Sequence, residues 1–535
     1  MIQVKPAACC TCEDRDAPTQ LWCGAAGLVA ATGLIRINAG SAARPEPLED
    51  GDGAILRRAC DGALPGPSVL ADAEVPMVRN AARYASAKLP RYTSYPTAAE
   101  FGPDVDAGTY SAWLDALPAE TDLSLYLHVP FCAELCHYCG CTTTAVKRYG
   151  PVADFVEVLA LEIGLVADRL AGRGGVRRPV SHIHWGGGTP TTLSGADMEW
   201  IGSLLKERFD IRPDAEIAVE IDPRRVGEKH LAAFRALGVN RASVGVQDFD
   251  PVVQKAIGRI QTVEETRGAI AGLRAAGVAG VNVDLVYGLP YQTPDGFSRT
   301  LDAVVAMAPD RIALFGYAHV PWMKRNQALI PEAALPSTEE RLAFAERSTA
   351  ELKAAGYVLV GLDHFARPDD PLALAAAEGD LHRNFQGYTT DRASALVAFG
   401  PSAIGSLPGG VGRPGGYVQN HATVGPWRTA IREGHLATAR GAEVDADTRL
   451  DAAVIERLMC SLAVDLAEVA VAHRRCPSRF APSLPAIDRL AADGLVVRTG
   501  WKLAIPVEAR AFVRHVCAVF DGYRRDVPQR HAAAV

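Results

Sequence analysis

The chain has 535 residues, and its 55 lysine and arginine side chains against 62 aspartates and glutamates give a formal net charge of −7. That length predicts about two to four domains, or one large α/β barrel with additional segments. A hydrophobic fraction of 48% with 22% charged residues excludes wholesale disorder. Because the chain has no basic excess, no nucleic-acid partner is expected.

Residues 1–85 are predicted to form a loosely ordered extension. Its apolar stretch, Leu21–Ile35, is shorter than the ~20 apolar residues that a bilayer span requires, so no membrane span is expected. Acidic residues at Glu13, Asp14 and Asp16 precede this stretch, whereas a secretion signal opens with positive charge. We therefore predict a cytoplasmic protein.

From Leu123 onward, short apolar runs alternate with helical stretches. The strand candidates are Leu123–Pro130, Val180–Trp185, Ile217–Asp222, Ala242–Asp248, Val281–Tyr287 and Ile312–Ala318. Strands that alternate with helices in this way predict a parallel sheet with right-handed crossovers. An open sheet and a partial barrel both satisfy the pattern.

Polar side chains on one face of several strands favour the barrel. Glu220 and Asp222 share a face of their strand, and Asp284 and Gln247 lie on the polar faces of two others. A buried parallel strand is normally apolar on both faces, so these residues predict a lumen that holds something polar. We expect an α/β fold, a partial (β/α)6 barrel, with its site at the carboxyl ends of the strands.

Two further regions follow the barrel at 123–325. Residues 326–440 are predicted to complete and cover it, and Gly400–Gly416, rich in glycine and proline, is predicted to be a loop. Residues 441–535 are predicted to form a mostly helical, winged-helix-like C-terminal domain, because a helix, a hairpin and a helix follow one another there. The acidic net charge favours a structural role over DNA binding for this domain.

Four cysteines lie within ten residues, directly after the first strand: Cys132, Cys136, Cys139 and Cys141. The first three, at C-x3-C-x2-C spacing, can bind three irons of a [4Fe–4S] cluster and leave the fourth iron open to a small molecule. A zinc site that uses all four cysteines is an alternative, as is a redox pair of the thioredoxin type. The spacing favours the cluster.

This cysteine motif, together with Gly186-Gly-Gly-Thr-Pro190 after the second strand, resembles the radical S-adenosylmethionine (SAM) enzymes. More narrowly, the chain resembles the family of oxygen-independent coproporphyrinogen III oxidases from about Leu89 to Arg525. The segments that carry this resemblance are residues 91–97 (RYTSYPT), 220–223 (EIDP), 245–249 (GVQDF), 284–290 (DLVYGLP), 317–319 (YAH), 363–370 (DHFARPDD) and 382–390 (HRNFQGYTT). Residues 86–122 would then lie on the substrate side of the barrel.

The resemblance implies roles for individual residues. Cys132, Cys136 and Cys139 would hold the [4Fe–4S] cluster, whose open iron would bind a first SAM. The residues implied at this first SAM are Tyr126, Tyr138, Gly187 and Glu220, with Tyr138 standing where the family typically has phenylalanine. A second SAM is implied at Gly188, Thr189, Gln247, Arg259, Asp284, Ala318 and Ile404. No role is assigned to Cys141.

The implied reaction is the oxidative decarboxylation of two propionate side chains of coproporphyrinogen III, giving protoporphyrinogen IX in haem biosynthesis. The reduced cluster would cleave SAM, and the resulting radical would take hydrogen from the β-carbon of a propionate. Flavodoxin or ferredoxin would suit as electron donor, and nothing in the sequence requires more than a monomer. The candidates for binding the propionates are Arg91, Lys147, Arg148, His382 and Arg383.

Two other functions are weighed against this one. A haem-trafficking relative from the same superfamily would bind haem without decarboxylating a porphyrinogen. Such relatives commonly lack the fourth cysteine and the segments at 91–97 and 382–390, all of which this chain contains. A zinc-stabilised scaffold or regulator would bind zinc and leave SAM uncleaved.

Overall fold

A computed structural model of the chain describes residues 78–79, 81–410 and 413–524. The extension predicted at 1–85 therefore lies almost entirely outside the described residues. None of the helices in the described part of the chain is both long enough and apolar enough to cross a membrane.

The secondary structure alternates between strands and helices through the barrel region. The strands are β1 (Leu123–Val129), β2 (Phe131–Cys132), β3 (Thr144–Ala145), β4 (Pro179–Gly187), β5 (Asp210–Ile221), β6 (Arg241–Gln247), β7 (Gly280–Tyr287), β8 (Arg311–Gly316), β9 (Val358–Val360), β10 (His364–Ala366), β11 (His382–Asn384), β12 (Gly387–Thr389), β13 (Ala395–Phe399), β14 (Ile404–Leu407), β15 (Gly416–Asn420), β16 (Thr438–Glu443), β17 (Ala463–Asp465), β18 (Val497–Thr499) and β19 (Lys502–Ala504). The helices are α1 (Ala81–Ala85), α2 (Ala107–Asp115), α3 (Gly150–Ala171), α4 (Gly195–Arg208), α5 (Glu228–Leu237), α6 (Pro251–Ala256), α7 (Val263–Ala275), α8 (Pro294–Val305), α9 (Thr338–Ala354), α10 (Pro371–Glu378), α11 (Val424–Arg432), α12 (Ala446–Ser461), α13 (Leu466–Ala472), α14 (Leu484–Ala492) and α15 (Val513–Cys517).

The six predicted strands form the parallel centre of the main sheet. They stand in the order β1, β4, β5, β6, β7, β8, and each pairs in parallel with the next. Helices follow the strands, as a parallel sheet requires of its crossovers. The predicted (β/α)6 arrangement is confirmed, and because β9 and β16 are the two outer strands of this sheet, the barrel is a partial one.

Short antiparallel strands extend the sheet at both sides. β10 and β9 follow β8 at one side, and β13 adds in parallel to β1 at the other, followed by β14, β15 and β16. The prediction that Gly400–Gly416 is a loop is wrong for Ile404–Leu407, which forms β14. Gly405 allows β14 to approach β13 closely, because a Cβ atom at this position would lie 2.8 Å from the carbonyl oxygen of Leu396.

The main core lies between the parallel strands and their helices. Leu125, Leu127 and Val129 of β1 are buried, and so are Phe155 and Leu159 of α3. Alternate strand residues point to the same face, so this burial directs the apolar face of β1 toward the helices. The polar faces of β5, β6 and β7 are thereby turned toward the opposite side, where the site lies.

The C-terminal region has a second core that also includes residues from before the barrel. Tyr92 and Tyr95 pack there with apolar residues of α12 and α15. The Tyr92 hydroxyl donates a hydrogen bond of 2.9 Å to Asp521, and the backbone N–H of Gly522 donates one of 2.7 Å to the Tyr95 hydroxyl. The sequence just before the barrel is therefore fastened to the end of the described chain.

Candidate active site

A cavity of about 510 Å³ opens at the carboxyl ends of the parallel strands. The sequence-predicted residues that line it are Cys132, Cys136, Tyr138, Cys139, Gly187, Gly188, Thr189, Glu220, Gln247, Arg259, Asp284 and Ala318. Tyr126 and Ile404 are not among its lining residues. Barrel enzymes place their chemistry at this end of the strands, and the structure brings most of the predicted site together there.

The three motif cysteines receive hydrogen bonds at their sulfur atoms. The Thr143 hydroxyl donates to Cys132 Sγ at 3.2 Å, and Arg259 Nη1 lies 3.7 Å from Cys136 Sγ. The side chain of Cys141 and its backbone N–H, 3.3 Å from the Cys139 sulfur, lower the pKa of the Cys139 thiol to about 6. Thiolates are the form that binds metal; the donors to Cys139 favour that form, whereas burial raises the pKa of the Cys132 thiol.

The loop that carries the cysteines is fastened by two residues that the sequence did not single out. The side-chain nitrogen of Asn326 lies 3.0, 3.2 and 2.9 Å from the carbonyl oxygens of Cys136, His137 and Cys139, and its two N–H groups are shared among these three acceptors. The buried Gln327 donates to the carbonyl oxygen of Tyr138 at 2.8 Å. Both residues lie in a 3-10 helix, Arg325–Leu329. Asn326 follows Cys136 by 190 residues in the sequence.

The glycines after β4 allow three segments of chain to meet. A Cβ atom on Gly186 would lie 2.8 Å from Glu220 Oε1, and one on Gly188 would lie 2.5 Å from the carbonyl oxygen of Phe131. Gly187 adopts φ +108, a conformation that favours glycine, and its N–H donates to Glu220 Oε2 at 3.1 Å. The triple glycine thus places the Glu220 carboxylate beside the cysteine loop.

Tyr126 lies behind Glu220. Its ring packs 5.8 Å from the ring of His184, whose Nε2 is 3.0 Å from Glu220 Oε1. The Tyr126 hydroxyl is 3.1 Å from Nδ1 of His128. Tyr126 is therefore placed to support the Glu220 carboxylate through His184.

A second group of polar residues lines the other side of the cavity. Asp284 accepts hydrogen bonds from Ser243 at 2.8 Å and from Asn282 at 2.7 Å, and burial raises its pKa to about 6. Arg259 Nη1 pairs with Asp222 at 3.3 Å. Burial alone would raise the pKa of Asp222, but its hydrogen bonds from Arg224 and the charge of Arg259 hold that pKa below its usual range. This side offers both a cation and a carboxyl group to a polar ligand.

Gln247 and Ile404, which are also predicted for the second SAM, lie on different strands, β6 and β14. Gln247 has a positive φ of 70, which is uncommon for a residue other than glycine. Ile404 lies on β14, which is separated from β1 by β13. Ile404 is not among the residues that line the cavity, and its role at the second SAM stays a prediction.

The five basic residues predicted to bind propionates lie in different parts of the structure. Arg91 lines the cavity, while Lys147 and Arg148 are exposed residues outside its lining. His382 Nδ1 is 3.2 Å from Glu456 Oε1, and this hydrogen bond raises the pKa of the imidazole. The Arg383 guanidinium lies 4.5 Å from the centre of the Tyr388 ring.

The donor set fits an iron–sulfur cluster with one open iron. Three thiols with hydrogen-bond donors at their sulfur atoms face the same cavity as Glu220. Within residues 81–410 and 413–524, no three histidine, cysteine, aspartate or glutamate side chains gather around one point as a single metal ion would require. In a [4Fe–4S] cluster each cysteine binds a separate iron, so its ligands need not converge in that way.

Comparisons with known proteins place the chain in a family. A sequence model of the radical SAM superfamily matches residues 126–304. The oxygen-independent coproporphyrinogen III oxidase of Bradyrhizobium diazoefficiens is 47% identical over 455 residues, which cover 85% of this chain and 99% of that protein. The chain belongs to the oxygen-independent coproporphyrinogen III oxidase family. The protein of the same name from Pseudomonas aeruginosa is 40% identical, over 81% of this chain and 93% of that protein.

A solved structure supports the same family membership. Coproporphyrinogen III oxidase from Escherichia coli, described as a radical SAM enzyme, matches with a TM-score of 0.76 and 37% identity, over 82% of this chain and 100% of that chain. Membership of the radical SAM superfamily implies a [4Fe–4S] cluster, as the cysteine spacing predicted, and SAM, as the resemblance implied. The α/β fold class is confirmed by the same match.

Proposed function

We propose that the chain catalyses the oxidative decarboxylation of two propionate side chains of coproporphyrinogen III to vinyl groups, giving protoporphyrinogen IX. The observation that carries this proposal is the meeting of three motif thiols with the Glu220 carboxylate in one cavity, in a chain of this family. The reaction makes the chain an oxidoreductase of haem biosynthesis.

The cysteines and Glu220 would prepare the chemistry. Cys132, Cys136 and Cys139 would each bind one iron of the cluster, leaving the fourth iron to the amino and carboxylate groups of SAM. When bound, the reduced cluster and SAM supply a 5′-deoxyadenosyl radical, which takes a hydrogen atom from the β-carbon of a propionate. Loss of CO2 then gives the vinyl group and leaves one electron, which an electron acceptor outside the chain would take up. Glu220 would accept hydrogen bonds from the first SAM.

A second SAM would occupy the far side of the cavity. Arg259 would pair with its carboxylate, because the planar guanidinium matches a carboxylate with two parallel hydrogen bonds. Asp284 would accept hydrogen bonds from its amino group. The support for this site is the nearness of these two side chains to the same cavity and their burial, which excludes bulk water from a radical reaction.

The electrons would come from a protein such as flavodoxin or ferredoxin. Glu134, Leu135 and Gly140 are exposed and belong to the loop that carries the cysteines, so a donor could approach the cluster at this surface. Because the residues that line the cavity and are proposed to hold the cluster and SAM come from one chain, we propose that a monomer is active, and that it acts in the cytoplasm.

Anaerobic turnover is the test of this function. Purified protein with an intact cluster would be given coproporphyrinogen III, SAM and a strong reductant, and porphyrin products would be followed together with 5′-deoxyadenosine. Protoporphyrinogen should form, and it should not form in Cys136→Ser. Cys476→Ser is the matched control, because Cys476 is an exposed cysteine away from the cavity.

The other outcomes point elsewhere. If 5′-deoxyadenosine forms and the porphyrin does not change, the radical chemistry is supported. The assignment of coproporphyrinogen III as the substrate is then contradicted. If neither product forms in protein with a full cluster, the proposed decarboxylation is contradicted. Haem binding is then the function to test.

A further inference from the structure

Arginine side chains gather beside the cavity, beyond the residues that the SAM sites use, and Arg91 among them lines it. Arg91 is exposed to the cavity and donates a hydrogen bond of 3.1 Å to the carbonyl oxygen of Gly316, which also lines it. The Arg341 guanidinium lies 5.9 Å from the centre of the Tyr287 ring. Arg341 Nη2 would be 3.2 Å from a Cβ atom on Gly316, so both arginines reach the same point of the wall.

Two more arginines come from outside the barrel. Arg383, on β11, stacks on Tyr388, and its Nε and Nη1 atoms are buried without a hydrogen-bond partner in the described structure. Arg514 comes from α15 near the end of the described chain. Burial and the neighbouring charge of Arg91 lower the pKa of Arg514 to about 10.

The positive charge of this cluster exceeds the negative charge beside it. Asp363 acts electrostatically on Arg91, Arg383 and Arg514 alike, and it is also bound to His364 at 2.8 Å. One carboxylate cannot neutralise three guanidinium groups. Buried charges without partners are costly, so the cluster is suited to receive anionic groups from a ligand.

We propose that Arg91, Arg383 and Arg514 form a carboxylate-binding cluster that holds propionate side chains of the tetrapyrrole substrate. This inference rests on the proposed function, since that substrate carries four propionates. Guanidinium groups recognise carboxylates through paired N–H donors, and the unpartnered Arg383 donors match that need. Lys147 and Arg148 do not belong to the cluster, because both are exposed and neither is among the charges that act most strongly on Arg91, Arg383 or Arg514.

The proposal assigns a role to the C-terminal domain. Arg514 lies on α15. Val513, Val516 and Cys517 of the same helix are buried in the C-terminal core. Tyr92 and Tyr95 join that same core and follow Arg91 directly in sequence. The packing of this domain therefore sets the positions of two of the three arginines, and the domain contributes a substrate-binding residue.

Porphyrin binding tests the cluster without requiring turnover. Coproporphyrin III has four propionates and mesoporphyrin IX has two, and neither is decarboxylated in the absence of reductant and SAM. Wild-type protein should bind coproporphyrin III more tightly, measured by quenching of tryptophan fluorescence. Arg514→Gln should weaken that binding roughly tenfold to hundredfold, as expected for a lost charge-assisted hydrogen bond, and should reduce the preference for four carboxylates.

Matched variants separate recognition from folding. Arg148→Gln removes an exposed charge away from the cavity and should bind both porphyrins as the wild type does, while Arg514→Lys should restore part of the affinity. If Arg514→Gln does not fold, as judged by thermal unfolding, Arg91→Gln decides the question because the Arg91 side chain is exposed to the cavity. Unchanged porphyrin affinities and preference in a folded variant would overturn the proposal. A wild type that prefers coproporphyrin III but never decarboxylates coproporphyrinogen III would instead contradict the proposed function alone.

Discussion

The side-chain amide of Asn326 donates a hydrogen bond of 2.9 Å to the carbonyl oxygen of Cys139. The same nitrogen also reaches the carbonyl oxygens of Cys136 and His137. One side chain thereby closes the turn that carries two of the three proposed iron ligands. The spacing of the cysteines brings them close in sequence, but this contact fixes the backbone that directs their sulfur atoms.

Replacing Asn326 with alanine should weaken retention of the cluster. The variant loses two N–H donors to the cysteine loop, and each hydrogen bond that they make is worth about 1 kcal/mol. Iron and sulfide per chain should fall, and loss of the visible absorbance on exposure to a chelator should accelerate. Arg325→Ala is the control, because Arg325 is an exposed residue of the same 3-10 helix. Equal iron retention in both variants would show that the loop holds its shape without Asn326.

Periodicity and motif spacing predicted the barrel because local sequence determines those features. Polar residues at alternate positions of β5 and β7, such as Glu220 and Asp284, indicated which face of the sheet looks into the cavity. Both residues line the cavity. Cysteine spacing predicted the loop for the same reason, since the three thiols are close in sequence.

Contacts between segments that are distant in sequence could not be predicted from the sequence. Asn326 and Arg514 each stand alone in their own stretch of chain, and neither belongs to a motif that would single it out. Only the fold brings Asn326 to the cysteine loop and Arg514 close enough to Arg91 for their charges to interact. The strand Ile404–Leu407 was missed because the surrounding glycines and prolines are typical of loops, whereas Gly405 serves close strand packing here.

Gly188→Ala should damage the site through steric conflict. The new Cβ atom would lie 2.5 Å from both the carbonyl oxygen of Phe131 and the hydroxyl of Thr143, so the cysteine loop would have to move. Such overpacking costs about 1–3 kcal/mol, which should lower the melting temperature and the iron content together. Gly164→Ala is the control, because a Cβ atom there would have no heavy atom within 4 Å and the change favours helix α3. A Gly188→Ala protein with the melting temperature and iron content of wild type would contradict the close approach.

Asp284 should make the stability of the cluster-free protein depend on pH. Burial raises its pKa to about 6 from an ordinary value of 3.8, so between these values the folded state binds more protons than the unfolded state. Stability contributed by this group is therefore present below pH 4 and is lost as pH rises to 6. The loss is at most about 3 kcal/mol, at roughly 1.4 kcal/mol for each pKa unit.

Urea unfolding at several pH values measures this contribution. Asp284→Asn should flatten the stability profile between pH 4 and 6 relative to wild type and should be more stable above pH 6. Asp302→Asn, an exposed position on α8, should keep the wild-type slope. Parallel profiles for wild type and Asp284→Asn would mean that Asp284 is ionised in the folded state with an ordinary pKa.

Arg259→Lys should weaken SAM binding more than it weakens the fold. Arg259 spans the cavity edge, with Nη1 beside both Asp222 and Cys136 and with Nε buried without a hydrogen-bond partner in the described structure. Lysine keeps the positive charge but cannot offer the paired N–H donors of a guanidinium to a carboxylate. We expect the KM for SAM to rise roughly tenfold, the effect of about 1.4 kcal/mol, with a smaller change in the melting temperature. Arg267→Lys, on the exposed side of α7, should leave the KM unchanged. An unaltered KM for SAM in Arg259→Lys, in protein with full iron content, would place the SAM carboxylate elsewhere in the cavity.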